Sequence, residues 1–487
     1  MNHRHSDMQQ NGSGRRTAVI AIAAFALCSA VAAVRSRGFL EADAATHYLF
    51  ARHAFAYPQY FVDVWGRPLC TALFALGARA GGLVGVRLTS LAVAIGCGVV
   101  AYALASGQGR RWPALALIFT LGQPLLFLHS FSELTELPFA LLAGLALLAY
   151  QRKHWGWLAI LAAMAPMGRP EGFCFLPLAA VALAAHRQWK WMVVLPMGLV
   201  AWDLAGCWLS EPPRGPWWRW LIDHWPYEAG SAYRPGPLLY LVAALPMLTG
   251  PLALPAMWIG MARGLGRMGG FFARHEDRME CLIAGGPLVV LVGHSLLSWR
   301  GMLSSNGELR YLLVAAPMWG ILSGSGWEWI FSRLAWPRPA SWAALAVVAP
   351  GLINFYWRVI PTPPPWPDAQ RLVAWYHGSA LREAYPRILT NHPGIYFYMD
   401  VSPADGRYVQ PWTPEAVDHP PAGVLLLWDP IFAVYNADAR RVASLQRVKQ
   451  SGWIEDVVAE RASHVNDEYP PDASWHLFRS PVDAQGQ

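Results

Sequence analysis

The feature that most constrains this chain is a succession of long, nearly uncharged apolar runs that fills it up to about Arg358 and then stops. A bilayer with a hydrocarbon core about 30 Å thick calls for such runs, and a soluble fold does not tolerate so many of them. Only 14% of the residues are charged, against the roughly 25% usual for a soluble domain. An ordinary cytosolic enzyme is excluded. The net charge of +7 does not indicate nucleic acid, because the basic residues form no stripe interleaved with aromatics. They lie in short loops between the apolar runs. The sequence therefore predicts an all-α polytopic membrane protein carrying a small C-terminal α/β soluble domain.

Residues 1–16 read as a cytoplasmic tail ending in Arg15 and Arg16, and the first run, 17–34, lacks a clear cleavage boundary and reads as a retained signal anchor. Further runs lie near 82–106, 112–128, 138–150, 155–167, 173–185, 189–209, 237–261, 281–298, 311–324 and 341–357, about eleven spans in all within a membrane domain of residues 17–358. Arg110 and Arg111, Arg152 and Lys153, Arg187 and Lys190, the group from Arg263 to Arg278, and Arg333 with Arg338 occupy alternate loops, which the positive-inside rule places in the cytoplasm. The remaining loops and the tail then lie outside. Five of the six cysteines sit in or beside apolar runs and the tail has none, so neither a disulfide framework nor a zinc ribbon is expected.

The outer loops hold the acidic residues and read as the working face. In the first of them, Glu41 and Asp43 point the same way only on extended or capping backbone. The competing reading makes Asp43 the cap of a helix that begins at Ala44. In the next, His129, Glu133 and Glu136 are spaced i, i+4, i+7, which on a helix gives one face able to hold a divalent cation. Alternatively, the two glutamates complement the positive end of the helix that Pro138 enters. Arg169, in Gly168-Arg169-Pro170-Glu171-Gly172, calls for an anionic partner at the membrane boundary, either a lipid phosphate or Glu171 itself, unless it snorkels to the interface. Arg310, in Glu308-Leu309-Arg310-Tyr311, is a second phosphate candidate, because a guanidinium grips phosphate oxygens in pairs. The tryptophan-rich loop 210–236 suits the bilayer interface, or a platform for a sugar ring or isoprenoid.

The acidic pair after the first helix, the acids of the next outer loop, and Glu308-Leu309-Arg310-Tyr311 followed by Pro317 resemble the motif order of the GT-C superfamily of membrane glycosyltransferases, of the protein O-mannosyltransferase and lipid-linked mannosyltransferase type. The resemblance spans roughly 17–357. It implies transfer of a hexosyl group from a polyprenyl-phosphate donor to a lipid, glycan or protein acceptor, outside a bacterial inner membrane and with inversion. On that resemblance Asp43 is the base and Glu41 its alternative. Arg169 and Arg310 bind the donor phosphate, while His129, Glu133, Glu136 and Glu308 orient substrate or, for the first three, a divalent metal. Here the first-loop acids are separated by Ala42, where many relatives have adjacent acids.

From 359 to 367 a proline-rich linker leads into a domain at 368–487, with helical periodicity at 368–376 and 438–450 and short strands at 387–390, 395–399, 424–428, 453–458 and 475–478. It carries no phosphate loop or nucleophile signature, which points to a lid, acceptor-recognition or packing role. Two rival readings remain. A transporter or flippase would need ionisable residues within its spans, and Asp203 is the only acid well inside one. An oligosaccharide polymerase or ligase would differ mainly in using a lipid-linked glycan donor.

Overall fold

The computed structural model describes residues 2–209 (side chains from Gly14), 216–227, 229–230, 235–334, 344–346, 348–349, 366–429, 432, 444–459 and 475–481. The linker up to Pro365, most of the expected span at 341–357, and large parts of the tryptophan-rich loop lie outside the described residues.

The membrane part is helical. α1 (Asn2–Arg35) leads to the short α2 (Ala42–His53) and then to α3 (Pro68–Gly107). Next come α4 (Ala114–Leu121), α5 (Pro124–His129), α6 (Glu136–Gln151), α7 (Trp155–Gly168), α8 (Phe175–Ala185), α9 (Trp189–Met192), α10 (Met197–Leu209) and α11 (Trp220–Asp223). The part ends with α12 (Tyr240–Thr249), α13 (Leu254–Leu265), α14 (His275–Arg300) and α15 (Ala316–Arg333). Among the described residues four helices are long and apolar enough to cross a bilayer, five if α12 and α13, bent by 110° at their junction, count as one. The expectation of about eleven full spans is therefore met by fewer long helices and several short ones. α3 also begins fourteen residues before the run expected at 82–106, because Pro68 starts it and the chain breaks at Gly81–Gly82. At Gly82 φ is +56°, a conformation glycine adopts without the usual steric cost.

At the centre α3, α4, α13 and α15 pack through a core that includes Leu104, Phe119, Met257 and the fully buried Trp319. Gly260 on α13 faces the backbone of Leu322 on α15, and Gly326 faces that of Ala256, so neither site has room for a Cβ. In lipid, where helices gain nothing from excluding water, such small-residue contacts supply the packing.

The tail is a five-stranded sheet of order β2-β1-β3-β5-β4, with β1 (Arg387–Leu389), β2 (Val409–Gln410), β3 (Val424–Trp428), β4 (Ile454–Ala459) and β5 (Trp475–Arg479). β3 pairs parallel with β1 and antiparallel with β5. All five residues of β3 are buried because both faces are covered: Leu425 and Leu427 pack beneath α16 (Pro367–Gly378), while Val424, Leu426 and Trp428 pack with Trp412 and Val448. The strand expected at 395–399 is instead part of a helix, Pro393–Met399. Its run of strand-favouring residues, Ile395-Tyr396-Phe397-Tyr398, mimics a strand, but Pro393 presets helical φ and the His392 side chain accepts from Gly394 N, which caps the turn. The helix expected at 438–450 is seen as Leu445–Gln450, residues 438–443 lying outside the described residues.

The tail packs onto α2. Phe397 meets Phe39 edge to face with centroids 4.9 Å apart, Leu49 of α2 joins the tail's core, and Tyr60 Oη lies 2.8 Å from Ser402 Oγ. The first loop and the tail are thus held at the same end of the bundle.

Candidate active site

The first loop is anchored from behind by Arg87 of α3. This buried guanidinium donates to Glu133 Oε1 at 2.9 Å and to the carbonyls of Ala33, Ser36 and Gly38, the end of α1 and the residues after it. Three backbone acceptors and one carboxylate fix where the chain leaves the first span. Glu41 then stands at the N-cap position of α2 on extended backbone (φ −152°, ψ 163°) and makes no side-chain capping bond. The helix begins at Ala42, so Asp43 lies inside its first turn and does not cap a helix starting at Ala44.

Both acids converge on one cation. Arg310 Nη1 is 2.5 Å from Glu41 Oε2, and its Nη2 is 2.6 Å from Asp43 Oδ2. Its Nε contacts Glu308 and lies 3.8 Å from Glu136 Oε1. Arg310 sits in a buried 3-10 turn, Leu309–Ala315, ahead of Pro317 and α15. Glu308 accepts from Asn306, whose own Oδ1 accepts from Tyr311 Oη at 2.6 Å.

A second guanidinium continues the line. Arg169 Nη1 is 2.7 Å from Glu136 Oε1 and 3.0 Å from Thr135 Oγ1, and its Nη2 is 3.0 Å from Glu171 Oε1. Glu171 also meets His294 Nε2 at 3.3 Å. Of the two partners the sequence allowed for Arg169, the internal ion pair with Glu171 is formed, and Glu136 adds a second carboxylate. Glu136 and Arg169 are buried, whereas Glu41 and Asp43 keep 36% and 44% of their side-chain exposure, so the first-loop pair is what a substrate would meet.

Five carboxylates share two guanidiniums in this cluster. Burial, followed by the influence of neighbouring carboxylates, holds Glu41 well above the usual carboxylate range, although Arg310 opposes it. Burial likewise raises Glu308. His47, one turn after Asp43, stacks on Trp65 with centroids 4.6 Å apart. Burial lowers its pKa to about 3, Asp43 and Arg67 being among the charges it feels. It is therefore neutral at working pH.

His129, Glu133 and Glu136 do not share a helical face. α5 ends at His129, residues 130–135 are not helical, and Glu136 opens α6. Glu133 belongs to Arg87 and Glu136 to Arg169, so the three do not fit a metal ion as a ligand set. Among the described residues no group of three or more His, Cys, Asp or Glu side chains is arranged to hold one.

Three contributors escape the motif reading: Arg87, His294 and Arg67. Arg67 is buried at the start of α3, at φ +62°, and donates to Val64 O at 2.7 Å and to Tyr227 Oη. It has no carboxylate partner within ion-pair distance among the described residues, and its Nε is unsatisfied. The only local signal was Gly66-Arg67-Pro68, an arginine wedged between a turn residue and a helix start.

No family model and no curated protein matches this sequence. Solved structures do match it: ArnT from Cupriavidus metallidurans in the apo state, at TM-score 0.60 and 14% identity, and the same protein bound to undecaprenyl phosphate, at TM-score 0.57 and 14% identity. Each alignment covers 94% of this chain and 97% of the other. The chain shares the fold of ArnT. The likeness to ArnT gives no support to the mannosyltransferase subtype.

Proposed function

We propose that this protein is an integral-membrane glycosyltransferase that moves a sugar from a polyprenyl-phosphate donor to an acceptor hydroxyl, at the end of the bundle where the tail packs. The observation that carries this reading is the convergence of Glu41 and Asp43 on Arg310 at the accessible edge of a buried charge cluster. The ArnT fold supports it, one of the matched ArnT structures being bound to undecaprenyl phosphate.

In this reading Asp43 accepts the proton of the acceptor hydroxyl as that oxygen attacks the anomeric carbon. The bond from the anomeric carbon to the phosphate oxygen breaks on the opposite side, and its electron pair stays on the phosphate, so the configuration inverts. A carboxylate within hydrogen-bond reach is what general base catalysis requires, and fixed cations stabilise the charge on the leaving phosphate. Arg310 and Arg67 are the side chains suited to hold that phosphate. Arg310 lies between the acids and the interior, and Arg67 is a buried guanidinium with no carboxylate paired to it among the described residues. Arg169 orients Glu136 and Glu171 behind them; like Arg310, which already pairs with Glu41, Asp43 and Glu308, it would reach a phosphate only by releasing a carboxylate. Glu41 and Glu308 orient sugar or acceptor hydroxyls, and Glu41 is the alternative base. The tail clamps α2 and hence Asp43. It lies outside the bacterial inner membrane, as the loop charges require.

The test is a panel of undecaprenyl-phosphate sugars presented to the purified full-length protein with lipid, glycan and peptide acceptors. Release of free undecaprenyl phosphate coupled to acceptor modification supports the reading. A folded protein that releases none from any donor, or that moves intact lipid across vesicles, overturns it in favour of a carrier. Labelling a single cysteine at Ser379 with an impermeant reagent in spheroplasts checks the side, and protection there would reverse the topology.

A further inference from the structure

The opposite end of the bundle carries a second feature. α6 starts at Glu136 and ends at Gln151, so its 16 residues place the turn at 152–154 about 24 Å from the carboxylate cluster. α7 runs back to Arg169 and α8 returns to His186, which brings the turn at 186–188 beside the first. Between the two lies an open groove of about 570 Å³ lined by Trp155, Trp157, Ile160, Lys190 and Trp191, with His154 at its rim. Lys190 Nζ is 5.4 Å from the centre of the Trp191 ring. Gly156 admits that ring, since a Cβ there would come within 2.9 Å of it.

The two turns beside this groove carry charge of one sign. Arg152, Lys153, Arg187 and Lys190 are exposed, and neither turn contains an Asp or Glu. Trp155 stacks on His186 with centroids 4.4 Å apart, and behind them Arg278 lies 3.5 Å from His186 Nε2. Arg278 donates to Tyr150 Oη and the Phe271 carbonyl, and it has no carboxylate partner among the described residues. Of the nearby acids on α14, Glu280 is taken by Arg110 and Asp277 by Arg267, while Glu276 is exposed to solvent. Beyond the groove the exposed surface turns apolar, with Trp157 at 62% and Val193 at 69% exposure. A ligand that satisfies both halves has an anionic head and hydrocarbon chains. Basic residues beside tryptophans at a membrane boundary are suited to such a head.

We propose that this groove binds the headgroup of an anionic phospholipid of the phosphatidylglycerol kind. Lys190 and Arg187 meet the phosphate, the tryptophans flank the glycerol, and the acyl chains run past Ile160. A zwitterionic headgroup brings its own ammonium into the cationic field and is disfavoured.

Native mass spectrometry of the full-length protein, released from nanodiscs holding equal phosphatidylglycerol and phosphatidylcholine, tests the assignment. The wild type retains phosphatidylglycerol preferentially. Lys190→Gln and Arg187→Gln each lower that retention about fivefold, and phosphatidylcholine stays unchanged. Ile160→Trp, which fills the groove without altering charge, lowers it too. Arg300→Gln, which removes an exposed charge at the other end of α14, does not. The proposal is overturned if the wild type shows no headgroup preference, if the Lys190 and Arg187 variants retain the lipid normally, if Arg300→Gln loses as much as they do, or if Ile160→Trp is without effect. The Ile160 variant keeps the test decisive should the charge variants misfold.

Discussion

Arg310 Nη2 donates to Asp43 Oδ2 at 2.6 Å, joining two positions 267 residues apart in the chain. The bond fixes the carboxylate at the edge of the cluster, where a substrate can reach it. Asp43→Asn keeps this geometry, because the amide oxygen still accepts from Arg310, but it removes the proton acceptor. Turnover should fall by about 10²–10⁴-fold while donor binding survives. Undecaprenyl phosphate release, measured beside donor affinity and melting temperature, checks it. A folded variant of near-normal turnover would move the role of base to Glu41.

Arg310 and Arg67 differ in what their removal leaves behind. Replacing either with Met should weaken donor binding by about 1.5–3 kcal/mol if one charge-assisted hydrogen bond to phosphate is lost. Arg310→Met should also lower the melting temperature, since Glu41, Asp43 and Glu308 lose their shared counterion. Among the described residues Arg67→Met sheds side-chain hydrogen bonds to Val64 and Tyr227, neither of them charged, and should be the milder in stability. Unchanged donor affinity in both variants would make them structural.

The buried pair Arg87–Glu133 is expected to matter through folding. Arg87→Met leaves Glu133 and three carbonyls without their donor, a loss of about 3–5 kcal/mol for breaking one side of a buried pair. Adding Glu133→Gln should recover part of it by removing the stranded charge. Denaturation in detergent measures both, and a double variant no better than the single one would locate the cost in the carbonyls alone.

Glu41 gives a pH signature. Its carboxyl is raised above the ordinary value of 4.5, so as pH climbs past that value the unfolded chain releases a proton that the folded site retains. Folding is then progressively penalised. Glu41→Gln escapes this cost. Its melting temperature should equal that of the wild type at low pH and exceed it increasingly as pH rises, and parallel curves would show that Arg310 fully compensates the burial.

His392 has the opposite sign. Burial lowers its pKa from 6.5 to about 3, so below pH 6.5 the unfolded chain takes up a proton that the folded tail refuses, and stability declines towards the lower value. His392→Asn retains an acceptor for Gly394 N and removes the titration. Hydrogen exchange of the β3 amides in the full-length protein should show less acid loosening in the variant, and an unchanged pH dependence would exclude His392 as the cause.

The sequence by itself determined the class of molecule, because runs of apolar residues and the side preference of Lys and Arg are local properties that a bilayer reads directly. It also marked four of the tail's five strands, and Glu41, Asp43, Glu308 and Arg310 as candidates. The two-residue β2 was too short to leave a pattern. Local propensity misjudged 395–399, where proline and a histidine cap outweigh a run of strand-favouring residues, and spacing set His129, Glu133 and Glu136 on one helix that the chain in fact breaks. What only the tertiary structure decided is which charge neutralises which. Arg87 crosses to Glu133, Arg169 to Glu136, and Arg310 to the first loop, because ion pairs at helix ends depend on which ends meet. Those meetings span separations of tens to hundreds of residues, which no local pattern records.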